Sequence, residues 1–115
     1  GALDTAAVAR CRGGERVTTA GLVIVRQRPS TAKGTVFLLL EDEHGTANVI
    51  VPRALAERCR EAVHHGTFAV VYGRAERSGP LVNVVATAVE ALDTAAAAER
   101  GEGAPAFRYR SHDFH

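Results

Sequence analysis

Phe37 stands in the run Val36-Phe-Leu-Leu-Leu-Glu-Asp42, with Arg26, Gln27 and Arg28 ahead of it and Lys33 in the stretch between. An aromatic ring beside several cations has a definite chemistry. The ring stacks on a planar base while the cations follow a phosphate backbone, and stacking contributes about 1–3 kcal/mol per base. Asn48, one apolar run further on, carries an amide able to hydrogen-bond a base edge. Arg74 and Arg77 flank a second turn-rich stretch, Ala75-Glu-Arg-Ser-Gly-Pro80. Arg26, Arg28, Lys33, Phe37, Asn48, Arg74 and Arg77 are the candidate nucleic-acid-binding residues. Each has an ordinary alternative that the sequence leaves open. Phe37 can lie beneath the N-terminal helix or the C-terminal tail, Asn48 can be a solvated strand residue, and surface arginines confer solubility.

Other reactive groupings do not assemble into sites. Glu41-Asp42-Glu43 is a single acidic turn without the converging carboxylates that metal-assisted phosphoryl transfer needs. His64-His65 diverge at a helix end, and neither they nor His112-x-x-His115 have a cysteine pair to complete a tetrahedral zinc set. Cys11 and Cys59 are far apart and read as structural thiols of a reduced intracellular protein. No phosphate-binding Gly-Lys loop, Gly-x-Ser-x-Gly elbow or nucleophile–base pair is present. The expectation is a binding module with no catalytic residue, no metal and no cofactor.

The elements that position these residues follow from periodicity and punctuation. A formal net charge of +1 rules out a global electrostatic attraction to polyanions, so binding must rest on local clusters. No apolar run approaches about 18 residues and no secretory pattern opens the chain, so neither a membrane span nor a membrane partner is expected. Residues 1–16 form a helical lead-in, with Asp4 or Thr5 as cap. Val17–Arg28 is a long β-branched strand, and Gly21 within it marks a bend. Thr35–Glu41 and Thr46–Val51 form a hairpin around Glu43-His44-Gly45. Pro52 opens a helix over Arg53–His64 whose stripe is Leu55, Cys59 and Val63, and Gly66 closes it in the C′ position. Thr67–Arg74 and Leu81–Ala91 are the last strands. Residues 93–106 read as a flexible linker and 107–115 as an aromatic-basic tail.

Five β-runs with one helix between the third and fourth is the element order of the OB-fold. The expected class is thus all-β with one inserted helix: a five-stranded OB-fold Greek-key barrel over 17–92, with a short N-terminal helix and an irregular C-terminal tail. Strand alternation sets Val36, Leu38 and Leu40 inward, with Phe37, Leu39 and Glu41 outward. The same parity sets Ala47, Val49 and Val51 inward, with Thr46, Asn48 and Ile50 outward.

The stretches Val17 to Gly34 and Phe37 to Val51, with Arg-Gln-Arg-Pro and Leu-Glu-Asp the most specific parts, resemble the C-terminal OB-fold region of error-prone, damage-inducible bacterial C-family DNA polymerases. These are relatives of the polymerase III alpha subunit. Thr5-Ala-Ala-Val-Ala-Arg10 resembles the helix preceding that region, and Ser111-His-Asp-Phe-His115 the family's extreme C-terminus. The pattern Phe-x-x-Leu-x-Asp-x-x-Gly beginning at Phe37 is more distantly similar to the anticodon-binding barrel of class II aminoacyl-tRNA synthetases, where the matching aromatic stacks on a base. The polymerase catalytic carboxylates, palm and fingers are absent, so polymerase activity would belong to the remainder of a longer chain. The resemblance implies single-stranded template DNA as partner during translesion synthesis in the bacterial cytoplasm. Its alternative is a protein-docking role toward accessory mutagenesis proteins or the sliding clamp.

Overall fold

The computed structural model describes residues 4–92; the linker and tail expected over 93–115 lie outside the described residues. The elements are α1 (Thr5–Val8), β1 (Arg16–Gln27), a 3-10 turn (Ser30–Ala32), β2 (Val36–Asp42), β3 (Gly45–Val51), α2 (Arg53–Arg58), α3 (Arg60–His65), β4 (Phe68–Ser78) and β5 (Leu81–Leu92). The strands close into a barrel in the order β1-β2-β3-β5-β4, and β4 returns to β1. All pairings are antiparallel except the short β3–β5 contact from Asn48↔Asn83 to Ile50↔Val85. This is the five-stranded OB topology that the element order implied.

Closure requires β1 to serve two neighbours. Arg16–Leu22 pairs with β4 and Leu22–Gln27 with β2, so the strand changes partner at Leu22. Gly21 stands at that point because a Cβ there would lie 2.7 Å from the Glu41 carbonyl oxygen. Two residues past Leu22, Ile24 is a bulge between Val23↔Leu40 and Val25↔Leu39. A bulge inserts one residue and reverses the parity of all that follows.

The parity expected for β2 and β3 holds. Val36, Leu38, Leu40, Ala47, Val49 and Val51 are buried together with Val71, Val84 and Val89, while Phe37, Leu39 and Ile50 are half-buried and Asn48 is exposed. Removing such Val and Leu side chains from water contributes about 1.5–3 kcal/mol each.

A helix plugs each end. At one end, α2 and α3 bury Leu55, Ala56 and Val63 in the core. The expected single helix is broken at Cys59 (φ −108°, ψ 38°), which is half-buried and packs against the core beside Leu55 and Val63. The break lets two short helices follow the curved rim, and Ala56 takes the inward place. Gly66 ends α3 in extended backbone (φ −66°), not the left-handed C′ conformation expected. Glycine serves instead for close approach, since a Cβ would meet the Ala62 carbonyl oxygen at 2.5 Å and the Ala91 Cβ at 3.0 Å.

At the other end, Val8 of α1 and Cys11 just past it join the same core, so the lead-in is an integral part of the barrel. Asp4 caps it, accepting from the Ala7 amide at 2.7 Å. Buried Asp42 at the end of β2 accepts from the Thr5 amide (2.9 Å) and hydroxyl (2.8 Å) and also from the His44 amide (2.8 Å). Burial pushes the Cys11 thiol above its ordinary value, with Glu15 adding to the effect, which keeps it protonated and unreactive.

β4 runs on to Ser78 and meets β5 through the two-residue turn Gly79-Pro80. The six-residue loop expected over 75–80 is therefore a tight hairpin. Pairing Arg77 with Val82 and Ser78 with Leu81 extends the ladder through residues whose turn-like composition had suggested a loop.

Two substitutions probe this core. Leu38→Ala should lower unfolding free energy by about 2–5 kcal/mol through an unfilled cavity. Asp42→Ala, which strands the Thr5 donors, should lower it by about 1–3 kcal/mol. Urea titration measures both, and hydrogen exchange should show the Asp42 variant losing protection first in α1.

Candidate nucleic-acid interface

Cross-strand registers assemble the outer face of β1, β2, β3 and β5 into rungs. Gln27, Phe37, Ile50 and Val85 form one, through Gln27↔Phe37, Phe37↔Ile50 and Ile50↔Val85. Val25, Leu39, Asn48 and Asn83 form the next. The half-buried Phe37 ring thus lies between the Gln27 amide side chain and Ile50, with the amide pair Asn48 and Asn83 one rung away. Such a surface suits bases, whose faces stack on an aromatic and whose edges accept and donate hydrogen bonds. Gln27 and Asn83 were not among the candidates read from sequence. Asn83 reaches the face only through the β3–β5 closure, which joins strands distant in the chain. Gln27 reaches it only because of the Ile24 bulge.

The same bulge places Arg26 on the rung of the core residues Leu38, Val49 and Val84. Past the barrel's end its guanidinium turns over α3, where Nε donates to the Val63 carbonyl (2.7 Å) and Nη2 to the Gly66 carbonyl (2.5 Å). The structure therefore does not bring Arg26 beside Phe37. Arg77 does the equivalent at the opposite end: it donates to the carbonyls of Ala9 (3.2 Å), Cys11 (3.4 Å) and Gly79 (3.1 Å). Arg74 lies within β4, exposed, and donates to the Gly14 carbonyl at 2.9 Å. Both stand in a strand rather than beside a loop, and both tie the N-terminal segment to β4.

Arg28, Lys33, Phe37 and Asn48 are the candidates left at or near the face. Arg28 and Lys33 are exposed in the β1–β2 connection, where Lys33 takes a left-handed conformation (φ 54°) that ends the 3-10 turn. Arg28 Nη1 lies 3.5 Å from His64 Nδ1. Burial, and then the charges of Arg28, Arg60, His65 and Arg26, hold the His64 imidazole below its ordinary value of 6.5. Among the described residues, no group of three or more His, Cys, Asp or Glu side chains converges as a metal site would require. No described helix is long and apolar enough to cross a membrane.

No protein-family model matches the chain. A curated relative, the error-prone DNA polymerase of Caulobacter vibrioides, is 42% identical over 114 residues, covering 90% of this chain and 10% of the polymerase. The error-prone DNA polymerase of Anaeromyxobacter sp. is 48% identical over 99 residues, covering 86% and 8% respectively. The chain thus spans about a tenth of the length of these relatives. Among solved structures, asparaginyl-tRNA synthetase from Pyrococcus horikoshii superposes with a TM-score of 0.66 at 20% identity, over 80% of this chain and 23% of the synthetase. That likeness concerns the fold.

The lowered pKa of His64 has a stability consequence. The unfolded chain takes up this proton near 6.5 and the folded chain only at lower pH, so protonation favours unfolding. Stability carried by neutral His64 is present above 6.5 and is lost as pH falls through that value toward the folded pKa. Thermal melts at about pH 7.5 and about pH 5.5 should show His64→Gln losing less stability across that interval than the parent.

Proposed function

We propose, for a chain that is an OB-fold homologue of one segment of the bacterial error-prone DNA polymerases, a non-catalytic role in binding single-stranded DNA. The strand would be the template of the parent polymerase during translesion synthesis after DNA damage, in the bacterial cytoplasm, and the remainder of the polymerase would supply the chemistry. The observation that carries this reading is the outward rung Gln27–Phe37–Ile50 beside Asn48 and Asn83. An aromatic left partly open beside Gln27, with Asn48 and Asn83 one rung away, offers each base a stacking surface and an edge partner. Arg28 and Lys33 border that rung as phosphate contacts. Arg26, Arg74 and Arg77 act mainly by holding the fold, since each already donates to backbone carbonyls.

A second reading draws on a different observation. Ile24 (45% exposed) and Val25 (39%) add apolar surface to the same face beside half-buried Leu39. That edge suits docking of a protein, in the parent enzyme an accessory mutagenesis protein or the sliding clamp. Salt separates the two readings, because a strand releases counterions on binding and an apolar contact does not.

Fluorescence-anisotropy titration of single-stranded oligonucleotides should give affinity that falls with salt at a log–log slope of about −0.7 per phosphate neutralised. Arg28→Ala or Lys33→Ala should make that slope shallower. Phe37→Ala should weaken binding by roughly 1–3 kcal/mol and leave the barrel folded. Binding that ignores salt, or is equally tight to duplex DNA, would overturn the strand reading in favour of the protein-docking one.

A further inference from the structure

A cleft of about 300 Å³ opens between the end of β1 and α3, lined by Arg26, Arg28, Arg60, His64 and His65. Every lining side chain is an arginine or a histidine, in a chain whose formal net charge is only +1. The concentration is thus local and not a consequence of composition. The described carboxylate contacts of Asp4 and Glu43 with His44, and of Glu57 with Arg53, do not involve a residue of the cleft.

One of these cations is held in place and the others surround it. Arg26 is fixed by its two bonds to the Val63 and Gly66 carbonyls, which places a guanidinium over the negative end of α3. Arg60 and His64 are four residues apart on α3 and so share one helix face. Arg28 reaches in from the end of β1 to within 3.5 Å of His64 Nδ1. Like charges crowded this way repel, and the repulsion is visible in two groups. After burial, Arg28 lowers the pKa of Arg26, and Arg28, Arg60, His65 and Arg26 together lower that of His64. An anion relieves the repulsion at every one of these groups. Guanidinium forks match tetrahedral oxyanions, and imidazoles add single N–H donors.

We infer that this cleft is a phosphate-binding site, in which Arg28 and Arg60 hold the oxyanion, His64 and His65 donate to it, and Arg26 supplies a fixed charge behind them. The phosphate is either a phosphodiester of a nucleic-acid strand or a small free phosphate. Arg28 directly follows Gln27, so a strand lying along the Phe37 rung passes the mouth of the cleft. Only that source of the phosphate rests on the single-strand reading.

The test is an imidazole NMR titration of the full chain with inorganic pyrophosphate, against sodium chloride of matched ionic strength. The groups facing His64 are Arg26 and Arg28 from β1 and its end, and Arg60 and His65 from its own helix. A bound anion offsets them, so the His64 titration midpoint should rise in pyrophosphate and not in chloride. Arg60→Ala, at an exposed position, should weaken the response about tenfold, the size of one charge-assisted hydrogen bond. Phe37→Ala should leave it unchanged. No change beyond that in chloride, or a response in Arg60→Ala and Arg28→Ala equal to that of the parent, overturns the site. An oligonucleotide of abasic sugar-phosphate identifies the source. If it moves His64 and pyrophosphate displaces it, the ligand is a strand's backbone; if pyrophosphate alone moves His64, the ligand is a free phosphate. Loss of all oligonucleotide binding with the pyrophosphate response intact removes the strand reading and keeps the cleft. Phe37-dependent oligonucleotide binding with His64 silent to every phosphate does the reverse.

Discussion

Closing a small barrel leaves two open ends, and the helices that stop them bring a further requirement: the last carbonyls of a helix have no partner within it. Both ends of this molecule use the same device, on the last turn and cap of α3 at one end and on the chain just past α1 at the other. A strand carries one residue past the core, on the core-facing parity, and that residue is an arginine that folds back over the plug. Arg26 at the end of β1 donates to the Val63 and Gly66 carbonyls at the C-terminus of α3. Arg77 near the end of β4 donates to the Ala9 and Cys11 carbonyls beyond α1. A guanidinium suits the position because it satisfies two or three acceptors and brings positive charge to the negative end of the helix.

This arrangement constrains where binding chemistry can sit. Arginines that fasten the plugs belong to the barrel's ends, so the lateral face of β1, β2, β3 and β5 is left to aromatic, amide and apolar groups. The buried Asp42 has a comparable part on the acidic side. Its carboxylate is taken up by the Thr5 amide and hydroxyl and the His44 amide, so the Glu41-Asp42-Glu43 turn fastens α1 to the hairpin.

Much of this was legible in the sequence. Strand number, helix position and the two faces of β2 and β3 followed from alternation, because over Val36–Leu40 and Ala47–Val51 each inward residue is a Val, Leu or Ala. The resemblance to error-prone polymerases rested on Arg-Gln-Arg-Pro and Leu-Glu-Asp, and the curated relatives agree with it. Other features were not legible for identifiable reasons. Nothing in Leu-Val-Ile-Val-Arg distinguishes a regular strand from one bulged at Ile24, yet that extra residue decides whether Arg26 or Gln27 stands beside Phe37. The turn-like composition of Ala75 to Pro80 concealed a continuous ladder. His64 and His65 offered no metal spacing, and two of their arginine neighbours, Arg26 in β1 and Arg28 just past it, lie about a third of the chain away in sequence but are adjacent once the barrel closes.

The bulge at Ile24 does more than change one register. Up to Val23, β1 alternates in phase with the core set by Val17 and Thr19; beyond it, the phase is reversed. Without the extra residue, Gln27 would turn toward the barrel's end and Arg26 onto the Phe37 rung. The lateral face would gain a cation, and α3 would lose the donor that holds its last carbonyls. With it, consecutive residues at the end of β1 serve different surfaces: Arg26 the helix, Gln27 the aromatic rung, Arg28 the cleft against His64. Consecutive Cα atoms are about 3.8 Å apart, so the aromatic rung and the basic cleft meet within a single step of backbone. A ligand with alternating apolar rings and anionic groups is matched by that juxtaposition, and one backbone irregularity in β1 produces it.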